Sequence, residues 1–172
     1  MFIFRYTDGV ELSLCLLLNR LCERRRIERL LAAVSRLGNG MFWYTLMAVV
    51  PLVLGRQALQ ASVHMALIGA AGVIVHKLLK STMVRERPFV AHHAIHRGTV
   101  PLDLCSFPSG HTLHAVAFSI VAVSYYPTLI WVVGPFSAMV ALSRVVLGLR
   151  YPTDVVAGGA IGVALAYASF LL

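Results

Sequence analysis

The sequence predicts an all-α fold: a polytopic transmembrane helical bundle of five to six spanning helices, with an N-terminal interfacial helix. Three observations predict it. Of the 172 residues, 59% are hydrophobic and the mean hydropathy is +0.80, which is too apolar for a domain whose surface must face water. Apolar stretches near the ~20 residues needed per crossing recur along the chain. Several of the charged residues sit where those stretches end.

Residues 10 to 22 are only marginally long enough to cross a bilayer, so this segment either spans or lies flat. Residues 23 to 37 (ERRRIERLLAAVSRL) alternate Arg or Glu with Ile, Leu and Ala at helical spacing, the pattern of an interfacial helix. Gly38-Asn39-Gly40 ends that helix with residues that tolerate a left-handed cap. Phe42, Trp43 and Tyr44 follow at the depth of an aromatic belt and read as interface anchors rather than as ligand-stacking groups. Spanning helices are expected over 41–57, 59–79, 112–126 and 128–149, and a fifth from 153 to the C-terminus. Gly158 and Gly162, four apart in the last of these, let a neighbouring helix approach closely. The chain is thus one membrane domain over 1–172, with short and interfacial helices in 1–40 and the core bundle in 41–172. An acidic pair, Asp8 and Glu11, precedes the first apolar run without a small-residue cleavage pattern, so no cleaved signal peptide is expected.

The net charge of +8, from 15 Lys and Arg against 7 Asp and Glu, reads as an orientation signal or as contact with membrane lipids of anionic type. It does not form a stripe with interleaved aromatics, so no nucleic acid partner is expected. Cys15, Cys22 and Cys105 lack CxxC spacing and carry no chemistry. His92, His93 and His96 lack a matching carboxylate set and read as a hydrated loop cluster, leaving no metal and no other cofactor in the expected site. His64 and His76 read as structural.

Successive crossings alternate direction, and that parity gathers distant residues. Lys80 ends the second good span, Ser109 and His111 begin the third, Ser143 to Arg150 end the fourth, and Asp154 begins the fifth. All belong to one membrane face. The polar loop from Ser81 to Phe107, with Arg85, Arg87, Arg97, Glu86 and Asp103, lies at the same face. Lys80, Arg87, Arg144 and Arg150 meeting there with few acids call for an anion, and guanidinium forks match phosphate oxygens. Each taken singly is also explained as a helix-end cation that snorkels toward headgroups.

Pro108, Ser109, Gly110 and His111 suit the start of a helix that cradles phosphate: Pro favours the first turn, Gly admits a close ligand, and the amide dipoles attract an anion. His111 can protonate a leaving alkoxide. The plain alternative is an N-cap followed by a packed histidine. Pro152 likewise suits a first helical position, which puts Asp154 in the first turn as a cap or as the partner of Arg150.

Together these residues resemble the type 2 phosphatidate phosphatase superfamily of integral membrane lipid phosphatases. Lys80 through Arg87-Pro88 matches its first motif, Pro108 to His111 its second, and Ser143-Arg144 through Asp154 its third. The resemblance implies that Lys80, Arg87, Ser109, Gly110 and Arg144 bind phosphate, with Pro108 and Ser143 in the same motifs. It implies His111 as proton donor to the leaving lipid alcohol, and catalysis without a metal. In the family a third-motif His forms a phosphohistidine and the Asp four residues on orients it. Here Arg150 occupies that position. A guanidinium binds phosphate but offers no lone pair for attack, and Asp154 is then expected to pair with Arg150.

The expected activity is removal of phosphate from a phosphorylated lipid partner of the phosphatidate, phosphatidylglycerophosphate, polyprenyl pyrophosphate or lipid A type. The alternatives at Arg150 are a disabled variant, an enzyme with another base such as His114, which lies one turn after His111, and a protein that binds or moves phosphorylated lipid without hydrolysis. The resemblance places the site on the outer face of a bacterial inner membrane. Arg24, Arg25, Arg26, Arg29, Arg36, Lys77 and Arg97 on the site face, against Arg56 on the other, point instead to the cytoplasm.

Overall fold

A computed structural model describes residues 8–82, 85–91, 95–96, 98 and 105–171. Eight α-helices are found among them: α1 (Asp8–Asn19), α2 (Arg25–Leu37), α3 (Met41–Leu54), α4 (Leu59–Thr82), α5 (Pro88–Ala91), α6 (Gly110–Tyr125), α7 (Ile130–Val146) and α8 (Pro152–Ser169). Among the described residues the only β feature is an isolated bridge between Glu86 and Cys105. The five expected spans correspond to α3, α4, α6, α7 and α8.

Local chemistry sets the helix ends. Pro152 opens α8, and the Asp154 carboxylate accepts from the Tyr151 amide at 3.1 Å, closing a capping box. Ser109 caps α6, its Oγ accepting from the Thr112 amide at 3.4 Å. Pro108 stands before that cap rather than in the first turn. Between α2 and α3 the axis bends by 58°. Gly40 takes a φ of 135° there, open to glycine alone, whereas Gly38 keeps a right-handed −65°. The left-handed residue is therefore the last of the Gly-Asn-Gly turn, not the first. As described, α1 has 12 residues and extends about 18 Å, short of the ~30 Å hydrocarbon layer.

The core lies where α6 is enclosed by α3, α4, α7 and α8, around Trp43, Phe118, Val121, Val133 and Val140. Trp43 is fully buried, packing edge-on to Phe42 and beside Phe118. This corrects the reading of Trp43 as an interface anchor; its neighbour Tyr44 is 70% exposed. Residues one apart on a helix point about 100° apart, so the triplet divides between core and surface. Gly158 and Gly162 bring the α8 backbone onto α6: a Cβ at Gly158 would collide with the Ser109 carbonyl, and one at Gly162 would lie 2.5 Å from the Leu113 carbonyl.

The outside of the bundle is apolar, with Leu52 and Trp131 each 83% exposed, a surface suited to lipid rather than water. Arg56–Thr82 and Pro127–Val146 are each long and apolar enough to cross a membrane, and the bent α2–α3 pair counts as a third if it is one span.

Candidate functional site

The end of α4, the start of α6 and the end of α7 enclose a cavity of about 530 Å³. Position along each helix tells its depth. His76 on α4, His111 on α6 and Arg144 on α7 stand at the bundle end, with Arg87 and Arg150 from the adjoining loops. Deeper along the same helices follow Val73, Ala70, Gly69 and Ala66 on α4 and His114 and Phe118 on α6, with Trp43 and Met47 of α3 opposite. The α2–α3 turn, Gly38 to Gly40, forms part of the wall. The cavity therefore joins a cationic mouth to an apolar slot. Among the described residues no Asp or Glu lines it.

The three arginines are buried, Arg87 completely. Arg87 Nη1 donates to the Leu149 carbonyl at 3.0 Å, Arg144 Nη1 to Ser35 Oγ at 2.5 Å, and Arg150 Nη1 to the carbonyls of Cys105 and Pro108 at 3.0 and 3.1 Å. These bonds to carbonyl and hydroxyl oxygens orient the guanidinium planes.

Of the predicted site residues, Arg87, Gly110, His111, Arg144 and Arg150 line the cavity. Lys80 lies in the last turn of α4, one turn beyond His76 and outside the lining. Pro108, Ser109 and Ser143 sit behind the wall. Ser109 is fully buried, with its Oγ 2.9 Å from Thr112 Oγ1 and its amide donating to the Asp154 carbonyl at 3.0 Å. Ser143 Oγ donates to the Val140 carbonyl at 2.7 Å. These hydroxyls hold helix ends in place.

Asp154 also lies outside the cavity, and its partner differs from the expected one. Its carboxylate accepts from Arg85 Nη1 at 2.8 Å and from Ser106 Oγ, while the hydrogen bonds of Arg150 go to loop carbonyls. The expected Asp154–Arg150 pair is thus replaced by Asp154–Arg85. Arg85 also meets Glu11 at 2.5 Å and lies 3.9 Å over the Tyr151 ring, and Glu11 accepts from the Thr153 amide at 2.9 Å. This buried Glu11–Arg85–Asp154 triad ties α1, the polar loop and α8 together. Sequence reasoning missed it. The available signal was Glu11 beside an apolar run, since charges within such segments seek a buried partner.

The histidines divide. His114 lines the cavity, but its Nδ1 lies 2.8 Å from the Gly110 carbonyl and its Nε2 3.2 Å from that of Gly69. His76, expected to be structural only, forms cavity wall; its Nε2 is 3.0 Å from where a Gly110 Cβ would stand. His76 and Lys80 are four apart and share a helix face, a spacing that could have flagged it. His64 at the other end of the bundle bonds Tyr125 Oη and Ser169 Oγ at 3.2 and 2.8 Å. His96 pairs with Glu28 at 3.2 Å, while His92, His93, Arg97 and Asp103 lie outside the described residues.

The chain is similar to known proteins in sequence and in fold. Undecaprenyl-diphosphatase BcrC of Bacillus subtilis is 30% identical over 102 residues, covering 59% of this chain and 52% of that protein. Decaprenylphosphoryl-5-phosphoribose phosphatase of Mycolicibacterium smegmatis is 38% identical over 96 residues, covering 53% and 50%. The chain thus spans about half the length of these curated relatives. The crystal structure of Aquifex aeolicus LpxE superposes with a TM-score of 0.80 at 21% identity, covering 94% of both chains, and shares the fold. The model of the PAP2 superfamily matches residues 57–172, which takes in every cavity-lining position from α4 onward. This chain is an integral membrane protein that belongs to the PAP2 superfamily.

Proposed function

We propose that the chain is a membrane hydrolase that removes a phosphate from a phosphorylated lipid. The observation that carries this reading is the single cavity running from Arg87, Arg144 and Arg150 into an apolar slot between α3, α4 and α6. A substrate with a charged head and an apolar tail matches both parts. The guanidinium forks and the N-terminal amides of α6 at Gly110 would hold the phosphate oxygens and the charge that builds on them during transfer. Lys80, one turn further out on α4, would add a positive charge at the mouth. His111 stands at the same helix start and would give a proton to the leaving lipid alcohol. By their printed names the relatives act on undecaprenyl diphosphate and on decaprenylphosphoryl-5-phosphoribose, which puts polyprenyl-linked phosphates first among the candidates. In this reading α3, α4, α6, α7 and α8 cross the bilayer, α1 and α2 lie at its surface, and the site faces outward.

A second reading, binding or transport of the lipid phosphate without hydrolysis, is favoured by one observation: Arg150 stands where the family's attacking His is expected. Phosphate release from a panel of short- and long-chain lipid phosphates separates the two. The hydrolase reading expects release by the chain itself and its loss in Arg144→Ala. Release only after Arg150→His marks a disabled or repurposed phosphatase. Tight binding with no release by either form leaves the binding reading in its place.

A further inference from the structure

We propose that Ser35, on α2, is a positioning residue for Arg144, an inference that rests on the phosphate cradle of the reading above. Arg144 is buried and lines the cavity mouth, and its Nη1 donates to Ser35 Oγ at 2.5 Å across 109 residues of chain. Ser35 itself is only 3% exposed. Serine is mostly a surface residue, and the polar face of α2 has room for one beside the exposed Arg25, Arg26, Arg29 and Arg36. This serine is instead on the buried face.

Its place follows from how α2 meets α7. Leu31, Val34 and Ser35 recur at helical spacing and form the buried face of α2. Just past the end of that helix, Gly38 lies so close to α7 that a Cβ there would stand 2.7 Å from Val140 Cγ2. Val140 and Arg144 are four apart on α7 and share a face. Two contacts, Gly38 on Val140 and Ser35 on Arg144, therefore fix the register of the two helices, which run in opposite directions.

A hydroxyl suits that place for a chemical reason. Oγ accepts one guanidinium N–H and brings no negative charge of its own to compete with a phosphate. Arginine has many rotamers, and a hydrogen bond that fixes its plane beforehand lowers the ordering cost that a ligand has to meet. The family match begins at residue 57, so this role brings a segment outside it into the site, next to the Gly38–Gly40 turn that forms cavity wall.

The test titrates the full chain in detergent micelles with a non-hydrolysable short-chain lipid phosphonate, comparing the unchanged chain, Ser35→Ala, Arg144→Ala and the double variant. Ser35→Ala should weaken binding about 10-fold, the share of one hydrogen bond to a charged group. Ser35→Thr keeps the hydroxyl and should stay within about 3-fold of the unchanged chain. In the Arg144→Ala background the change at Ser35 should add less than about 2-fold, because its partner is gone. Leu31→Ala, on the same buried face but without a polar atom, should lower the thermal transition and leave phosphonate binding within about 3-fold. Undiminished binding by Ser35→Ala, losses that multiply in the double variant, or an equal loss in Leu31→Ala or Ser35→Thr overturns the assignment. Failure of the unchanged chain to bind, or unchanged binding in Arg144→Ala, overturns it together with the cradle. Phosphonate binding with no phosphate release from the matching lipid phosphate refutes the hydrolase reading alone, and the coupling of Ser35 to Arg144 in the double variant then still supports the assignment.

Discussion

Replacing Arg85 with Met tests the buried triad most directly. Arg85 and Glu11 side chains are each 6% exposed and that of Asp154 is fully buried, so Arg85→Met leaves two carboxylates in the interior without the guanidinium they share. Removing one partner of a buried pair costs about 3 to 5 kcal/mol, because the remaining charge stays desolvated. Glu11 and Asp154 keep other donors, the Thr153 amide at 2.9 Å and the Tyr151 amide at 3.1 Å, which hold the cost within that range. Adding Glu11→Leu and Asp154→Asn to the same chain removes both stranded charges and should recover about 2 kcal/mol or more. Unfolding in mixed micelles by increasing anionic detergent supplies the measurement, with fluorescence of the buried Trp43 as the reporter of core opening. A loss below about 0.5 kcal/mol for Arg85→Met, typical of surface positions, would refute the triad. So would costs that simply add across the combined variants.

Other predictions concern the cavity. Arg144→Ala should weaken binding of a short-chain lipid phosphate by about 2 to 5 kcal/mol, while Lys80→Ala, outside the lining, should cost about 1 kcal/mol or less; calorimetric titration distinguishes them. Gly69→Leu crowds the slot, since even a Cβ there meets the Phe118 ring at 2.9 Å. It should lower kcat/KM for long-chain substrates about 10-fold or more relative to short-chain ones, as one misfitted group in an apolar pocket does. Gly158→Ala presses a methyl on the Ser109 carbonyl and should lower stability by about 1 to 3 kcal/mol, read as an earlier thermal transition in detergent.

The helix layout and the convergence of the second and third motifs were legible because both follow from one-dimensional regularities. Apolar run length marks crossings, and an even or odd number of crossings decides which ends meet; Gly110, His111, Arg144 and Arg150 share the cavity for that reason. Direction around a helix axis was harder. Phe42, Trp43 and Tyr44 look alike as a string, yet the turn of about 100° from one helical residue to the next sets Trp43 inward and Tyr44 outward. Partner choice was least legible. The Asp154–Arg85 bond spans 69 residues, and nothing local to either residue favours it over Arg150. His76 lay between these cases, visible from its spacing to Lys80 but readable as packing until α6 was placed beside it.

Arg150 is a strut. Its guanidinium holds the Cys105 and Pro108 carbonyls just ahead of the α6 cap. A smaller imidazole there would leave those oxygens short of a donor, at a cost of about 1 to 3 kcal/mol for each one that stays dry. Arg150→His therefore carries a structural cost of its own, separate from chemistry: the segment that leads into α6 loses the donor that ties two of its oxygens down.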